Sequence, residues 1–110
     1  MAHVIDREEW ARRPDRWQGE LQCGAYGARS CLIFNHLPAT GGGPRLHSHP
    51  YCEIFIIRAG TGLFTIGDEL IEASAGQIVI VPPSTPHKFT KPGPGALEAI
   101  DIHENGTFIT

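Results

Sequence analysis

The sequence predicts an all-β domain, a single antiparallel β-barrel or jelly roll with a short N-terminal helix. Three observations carry that prediction. Short apolar segments recur along most of the chain, separated by turn-forming residues. Glycine (13) and proline (9) are abundant, as many strands joined by tight turns require. No second helical pattern and no internal repeat follows the leader, so one barrel is expected and not a duplicated one.

The leader comes first. Asp6-Arg-Glu-Glu9 sets an aspartate three residues before a glutamate, which is a helix-start signal. Pro14 limits that helix to about two turns. Arg7, Arg12, Arg13 and Arg16 balance Asp6, Glu8, Glu9 and Asp15. Trp10 and Trp17, the only tryptophans, both fall here and are expected to dock on the barrel or on a partner subunit. The leader is assigned to residues 1–19 and the barrel to 20–110.

Residues 20–27 and 29–37 read as two strands around Gly27, the second nearly continuous in apolar residues and therefore covered on both faces. Pro38 to Pro44, with its three successive glycines, reads as a flexible loop. Residues 45–58 form the next predicted strand, bent near Pro50, which cannot donate to a ladder. Gly60-Thr-Gly62 is taken as a turn. Strands at 63–66 and 69–73 flank Gly67-Asp68, a two-residue hairpin signal. Residues 78–81 and 97–103 complete the set, with Phe108-Ile109 as a tail.

Length and charge bound the function. At 110 residues the chain makes one domain with a small core, which a metal ion or a second subunit would help to stabilise. A net charge of -3 argues against non-specific nucleic-acid binding. The apolar runs are far too short to span a bilayer as helices. Residues 1–13 carry no apolar signal-peptide core. Three cysteines (23, 31 and 52) without C-x-x-C spacing fit a reducing, cytoplasmic setting.

The chemistry gathers at His47, His49 and Glu53. All three occupy odd positions, so in an extended strand they share one face. His87 adds a third imidazole after the strand at 78–81. Three histidines and a carboxylate suit a divalent ion such as iron, zinc, nickel or manganese. The lack of cysteine argues against a closed structural zinc site. Single histidines are more often structural or solvated, and His3 and His36 are read that way.

These residues resemble the two motifs of the cupin superfamily, in particular its small single-domain conserved-barrel members. The first motif is met in every spacing by Gly41, His47, His49, Glu53 and Gly60. The second is met by Gly76, Pro82 and His87, with Ser84 where the pattern has glycine and Lys91 where it has asparagine. The resemblance implies a metal held by His47, His49, Glu53 and His87 near the mouth of the barrel. It also implies a range of activities, from dioxygenases and isomerases to decarboxylases and metal-free proteins.

Two further groups are candidates for handling protons. Tyr51 shares the ligands' parity and would point inward, as a pocket residue or as part of the core or rim. In the last strand Asp101 and His103 alternate with Ile100 and Ile102, and the outward placement of the polar pair is preferred. Should the pair face inward, His103 is favoured as acid or base, because an unperturbed imidazole titrates near neutrality. The expected function is a metal-dependent enzyme on a small organic molecule, dioxygenase-type ahead of isomerase-type. The alternative is a non-catalytic module that binds metal or a small ligand. A homodimer is expected, because strands apolar on both faces leave an outer apolar surface that one small barrel cannot cover.

Overall fold

Alternation of side chains between two faces builds a pair of antiparallel sheets in the computed structural model, which describes residues 1–109. Thr110, the last residue of the expected barrel, lies outside them. The elements in chain order are α1 (Arg7–Trp10), β1 (Gly19–Gln22), a 3-10 turn (Cys23–Tyr26), β2 (Cys31–Leu37), β3 (Glu53–Ala59), β4 (Thr61–Ile66), β5 (Glu69–Ser74), β6 (Ile78–Val81), β7 (His87–Thr90) and β8 (Leu97–His103). One sheet has the order β1-β2-β8-β3-β6 and the other β5-β4-β7. This is a jelly-roll arrangement, because strands distant in sequence lie side by side: β8 sits between β2 and β3.

The core lies between the sheets. Phe55 and Ile57 of β3, Val79 and Val81 of β6, and Leu97 and Ala99 of β8 face Phe64 and Ile66 of β4 and Phe89 of β7. Phe55, Phe64 and Phe89 meet with ring centroids 5.0 to 5.4 Å apart. Offset and edge contacts of this kind add to the burial of the rings. This aromatic cluster forms the floor under the functional site.

Several boundaries differ from the sequence reading. The leader helix is one turn, not two: Glu9 accepts the Asp6 N–H at 2.7 Å as expected, but Ala11 is already extended. The chain leaves the helix because it begins to pair, with Ala11 bridging Gly19 and the Arg12 N–H donating to the Gln18 carbonyl. The strand expected over 20–27 stops at Gln22 and turns into the 3-10 segment, which Gly27 ends at φ 87°. Residues 61 and 62 belong to β4, so the β3–β4 connection tightens to Gly60 alone. Gly60 has φ 77°, and a Cβ there would stand 2.3 Å from the Ala96 carbonyl oxygen, so only glycine fits. The separate strand expected to carry His87 is β7, which begins at His87 itself, directly after Pro86.

The two tryptophans dock on their own barrel. Trp10 stacks on Phe34 at 3.8 Å, and the Trp17 indole N–H donates to the Ala99 carbonyl at 3.3 Å. The Arg58 guanidinium lies 3.7 Å over the Trp17 ring. The leader therefore covers part of the outer face of the five-stranded sheet. Beyond it, Ile78 and Ile80 of the edge strand β6 remain 61% exposed. Cys23, Cys31 and Cys52 are unpaired. Among the described residues no helix is long and apolar enough to cross a membrane.

Candidate metal centre

His47, His49, Glu53 and His87 come together, their ligand atoms all within 4.8 Å of one another. They do not come from one strand, as their shared parity implied. Glu53 is the first residue of β3 and His87 the first of β7, one in each sheet. His47 and His49 lie in the irregular segment before β3, where Pro44 and Pro50 interrupt any ladder. An isolated antiparallel bridge between His47 and His87 holds that segment in place. Ser84 fixes it further, its N–H donating to the His49 carbonyl at 2.6 Å. Ser84 has φ 58°, the left-handed conformation that explains why the motif has glycine there. Lys91, at the motif's asparagine position, is buried and its ammonium donates to the Gly93 carbonyl.

All three imidazoles are oriented in the same way. The Nδ1–H of His47 donates to the Arg45 carbonyl at 2.7 Å, that of His49 to the Ile109 carbonyl at 2.6 Å, and that of His87 to the Thr85 carbonyl at 2.8 Å. A carbonyl can only accept, so Nδ1 keeps the proton in each ring and Nε2 is the atom left for the cluster. His87 Nε2 is 2.9 Å and His49 Nε2 3.2 Å from Glu53 Oε1. Lone pairs that close repel unless a proton or a cation lies between them. His49 Nε2 is buried without a hydrogen-bond partner. The donor set and this orphaned nitrogen both fit a divalent ion.

Behind this group lies a second one, and here the sequence reading is corrected. Asp101 and His103 face the interior, each 4% exposed, and Ile100 and Ile102 face out. The parity of β8 is set by Leu97 and Ala99, which continue the core row, so Asp101 and His103 follow them inside. The apolar outer row misled because it belongs to the sheet face partly covered by the leader. Tyr51 is buried too, its hydroxyl 2.6 Å from His103 Nδ1. His103 Nε2 lies 3.5 Å from Glu53 Oε2 and 3.4 Å from Asp101 Oδ2.

The ionisation of the ion-free site follows from these contacts. Burial alone would raise the Glu53 carboxyl, but His103 and His87 outweigh it and hold Glu53 well below the usual carboxylate range. Burial pushes Asp101 well above that range. Burial opposes charge on His103, yet Asp101 and Glu53 prevail and push it up to about 11. His103 is thus not the unperturbed imidazole expected from the sequence. His87 is raised for a similar reason, by Glu53 against the effect of burial, and burial lowers His49.

A cavity of about 620 Å³ opens onto both groups. Ile33, Leu37, Pro44, Phe89 and Phe108 give it apolar walls, and Arg12 and Glu20 also line it. Asn35 Nδ2 is buried without a partner and also lines the cavity, a donor that no sequence signal singled out. His3 and His36 stand apart from the site, His3 against Tyr26 and His36 2.9 Å from Glu98.

The comparisons with known proteins agree with this fold. The family model described as "Cupin domain" matches residues 35–103, more than half of the chain. A cupin protein from Bacteroides fragilis has a TM-score of 0.71 at 24% identity, over 100% of this chain and 87% of that one. Bacillus subtilis oxalate decarboxylase, in a structure described by its Mn(II) centers, has a TM-score of 0.73 at 18% identity, over 83% of this chain and 26% of that one. An uncharacterized protein of Methanocaldococcus jannaschii is 41% identical over 49 residues, 44% of this chain and 39% of that protein. The chain thus spans well under half of that relative's length.

Proposed function

The chain belongs to the cupin domain family, and on that premise we propose that it holds a divalent metal ion on His47, His49, Glu53 and His87 and acts as a metal-dependent enzyme on a small organic molecule. The observation that carries this reading is the common orientation of the three imidazoles, each fixed through Nδ1 by a backbone carbonyl and presenting Nε2 beside Glu53. Four ligands would leave positions free on a six-coordinate ion, and His47, His49 and Glu53 line the cavity. The ion, when bound, would supply Lewis-acid or redox chemistry there.

The protein's own residues would do the rest. The apolar walls would exclude water and hold the carbon skeleton of a substrate. Asn35 would donate to a substrate oxygen. Tyr51 and His103 are proposed as catalytic partners, with Tyr51 setting the orientation of the His103 ring. Iron would favour dioxygenase-type chemistry, the reading placed first. Manganese, nickel or zinc would favour isomerisation of a hydroxy-carbonyl compound. The fold likeness to oxalate decarboxylase adds weight to manganese without assigning that substrate.

Oxygen uptake separates these readings. Protein prepared without nickel affinity steps and loaded with iron should consume oxygen with a small catechol or diketone. Turnover of the same compounds without oxygen would remove the dioxygenase reading. Tight binding of one small ligand with no turnover under any metal would favour the non-catalytic module. The unpaired cysteines suit the proposed cytoplasmic setting.

We further propose a homodimer formed through the outer face of the five-stranded sheet. Ile54, Ile56, Ile100 and Ile102 lie on that face beside the exposed Ile78 and Ile80. An apolar face ending in an edge strand is suited to a second copy of itself, which would bury both at once. Light scattering at micromolar concentration should give about twice the 12.0 kDa chain mass, and Ile78→Lys with Ile80→Lys should restore the single-chain mass. A wild-type protein that scatters as one chain would reject the dimer.

A further inference from the structure

We propose that Glu53, Asp101 and His103 form a second cation site, sharing Glu53 with the first, so that the barrel holds two divalent ions bridged by one carboxylate. The inference builds on the metal reading above, adds Asp101 and His103 to the four-residue set, and makes His103 a ligand, which leaves Tyr51 as the group that handles protons. Glu53 presents its two oxygens to different neighbours. Oε1 faces His87 Nε2 and His49 Nε2, and Oε2 faces His103 Nε2. A carboxylate placed in this way can bridge two ions, which in two-metal sites stand about 3.5–4 Å apart.

The distances within the second group fit an ion better than hydrogen bonds. Ligand atoms about 2.1 Å from an ion stand about 3.4 Å apart in tetrahedral geometry and about 3.0 Å apart as octahedral neighbours. His103 Nε2 is 3.4 Å from Asp101 Oδ2 and 3.5 Å from Glu53 Oε2, beyond the length of a good charge-assisted hydrogen bond. The ligand atoms of the three residues all lie within 4.8 Å of one another.

A second, independent observation comes from unmet polar atoms. Asp101 Oδ1 and His103 Nε2 are buried without hydrogen-bond partners, on residues only 4% exposed. Buried polar atoms are rarely left so. A cation held by this group would satisfy His103 Nε2 directly and draw on the Asp101 carboxylate. Tyr51 Oη lies 2.6 Å from His103 Nδ1, so Nε2 is the ring nitrogen turned toward the carboxylates. Both residues line the cavity, so an ion can reach them.

Charge then indicates the ligand. Two divalent ions bring more positive charge than Glu53 and Asp101 neutralise, and Arg12 also lines the cavity. The surplus would favour a small anionic ligand with oxygen donors, able to touch both ions, within apolar walls.

The test is the number of Mn2+ ions bound per chain, by calorimetric titration of metal-stripped protein and elemental analysis. The wild type is expected to bind two. Asp101→Asn and His103→Gln, each close in shape to the residue replaced, should bind one, and His87→Ala should weaken the other. In the paramagnetic resonance spectrum, the isolated Mn2+ signal at one equivalent should broaden at two as the ions couple. A single ion in the wild type, lost in His87→Ala and retained in Asp101→Asn, would overturn the second site and leave the first standing. No bound ion in any form would overturn both. The wild-type count decides even where a variant fails to fold.

Discussion

Glu53→Gln is expected to leave the barrel folded and its metal centre empty. Glutamine keeps the shape of the side chain, so the start of β3 and the packing around it stay in place. It removes the negative charge next to which His49 and His87 present their nitrogens. Substitutions of residues that only orient a metal ligand cost about 10–100-fold in affinity, and loss of a direct ligand should cost more. The check needs no substrate. An ion at a hundred times its dissociation constant stabilises the native state by about 2.7 kcal/mol. In a domain near 100 residues each kcal/mol shifts the midpoint by about 4–8 °C. Metal should therefore raise the wild-type midpoint by about 10 °C or more and that of Glu53→Gln by almost nothing. A variant that gains as much as the wild type would remove Glu53 from the ligand set.

The same carboxylate shows what was legible in the sequence and what was not. The motif spacing picked out His47, His49, Glu53 and His87, and they do meet. The physical reason given for it, alternation along one strand, holds only from Glu53 onward, because prolines keep the histidine segment out of the sheet. Convergence comes instead from the His47–His87 bridge, a long-range contact that local patterning cannot reveal. The strands at 78–81 and 97–103 were read to the residue, since an apolar alternation bounded by turn residues is a local property. The direction in which β8 faces is not local. Its Ile100 and Ile102 look like a core row, and only the packing of Leu97 and Ala99 into the core between the sheets decides that Asp101 and His103 turn inward. The carbonyls that orient the three imidazoles carry no side-chain signature at all, so no pattern of residue types could have named Arg45, Thr85 or Ile109.

Phe55→Ala should destabilise the protein more than any loss at the metal site, and the reason lies beneath that site. Phe55 is 1% exposed and two residues along β3 from Glu53, on the same face. Its ring meets Phe64 across the barrel at 5.0 Å and Phe89 at 5.3 Å, so it joins the two sheets at their common floor. Removing a buried phenylalanine costs about 3–5 kcal/mol, the transfer energy plus the cavity that rigid neighbours cannot fill. A chain of this size has a total of about 5–15 kcal/mol, so the variant should lose about a fifth or more of its stability. Denaturant unfolding of the metal-free protein measures this directly, as a lower midpoint at unchanged slope. A metal ion at a hundred times its dissociation constant should return about 2.7 kcal/mol to the variant, as it does for the wild type, provided the ligands still meet above the cavity. Should the stability loss stay below about 1 kcal/mol, the three rings would not be the joint between the sheets. If the loss is full but metal returns nothing, Phe55 also holds Glu53 in position, and floor and site act as one unit.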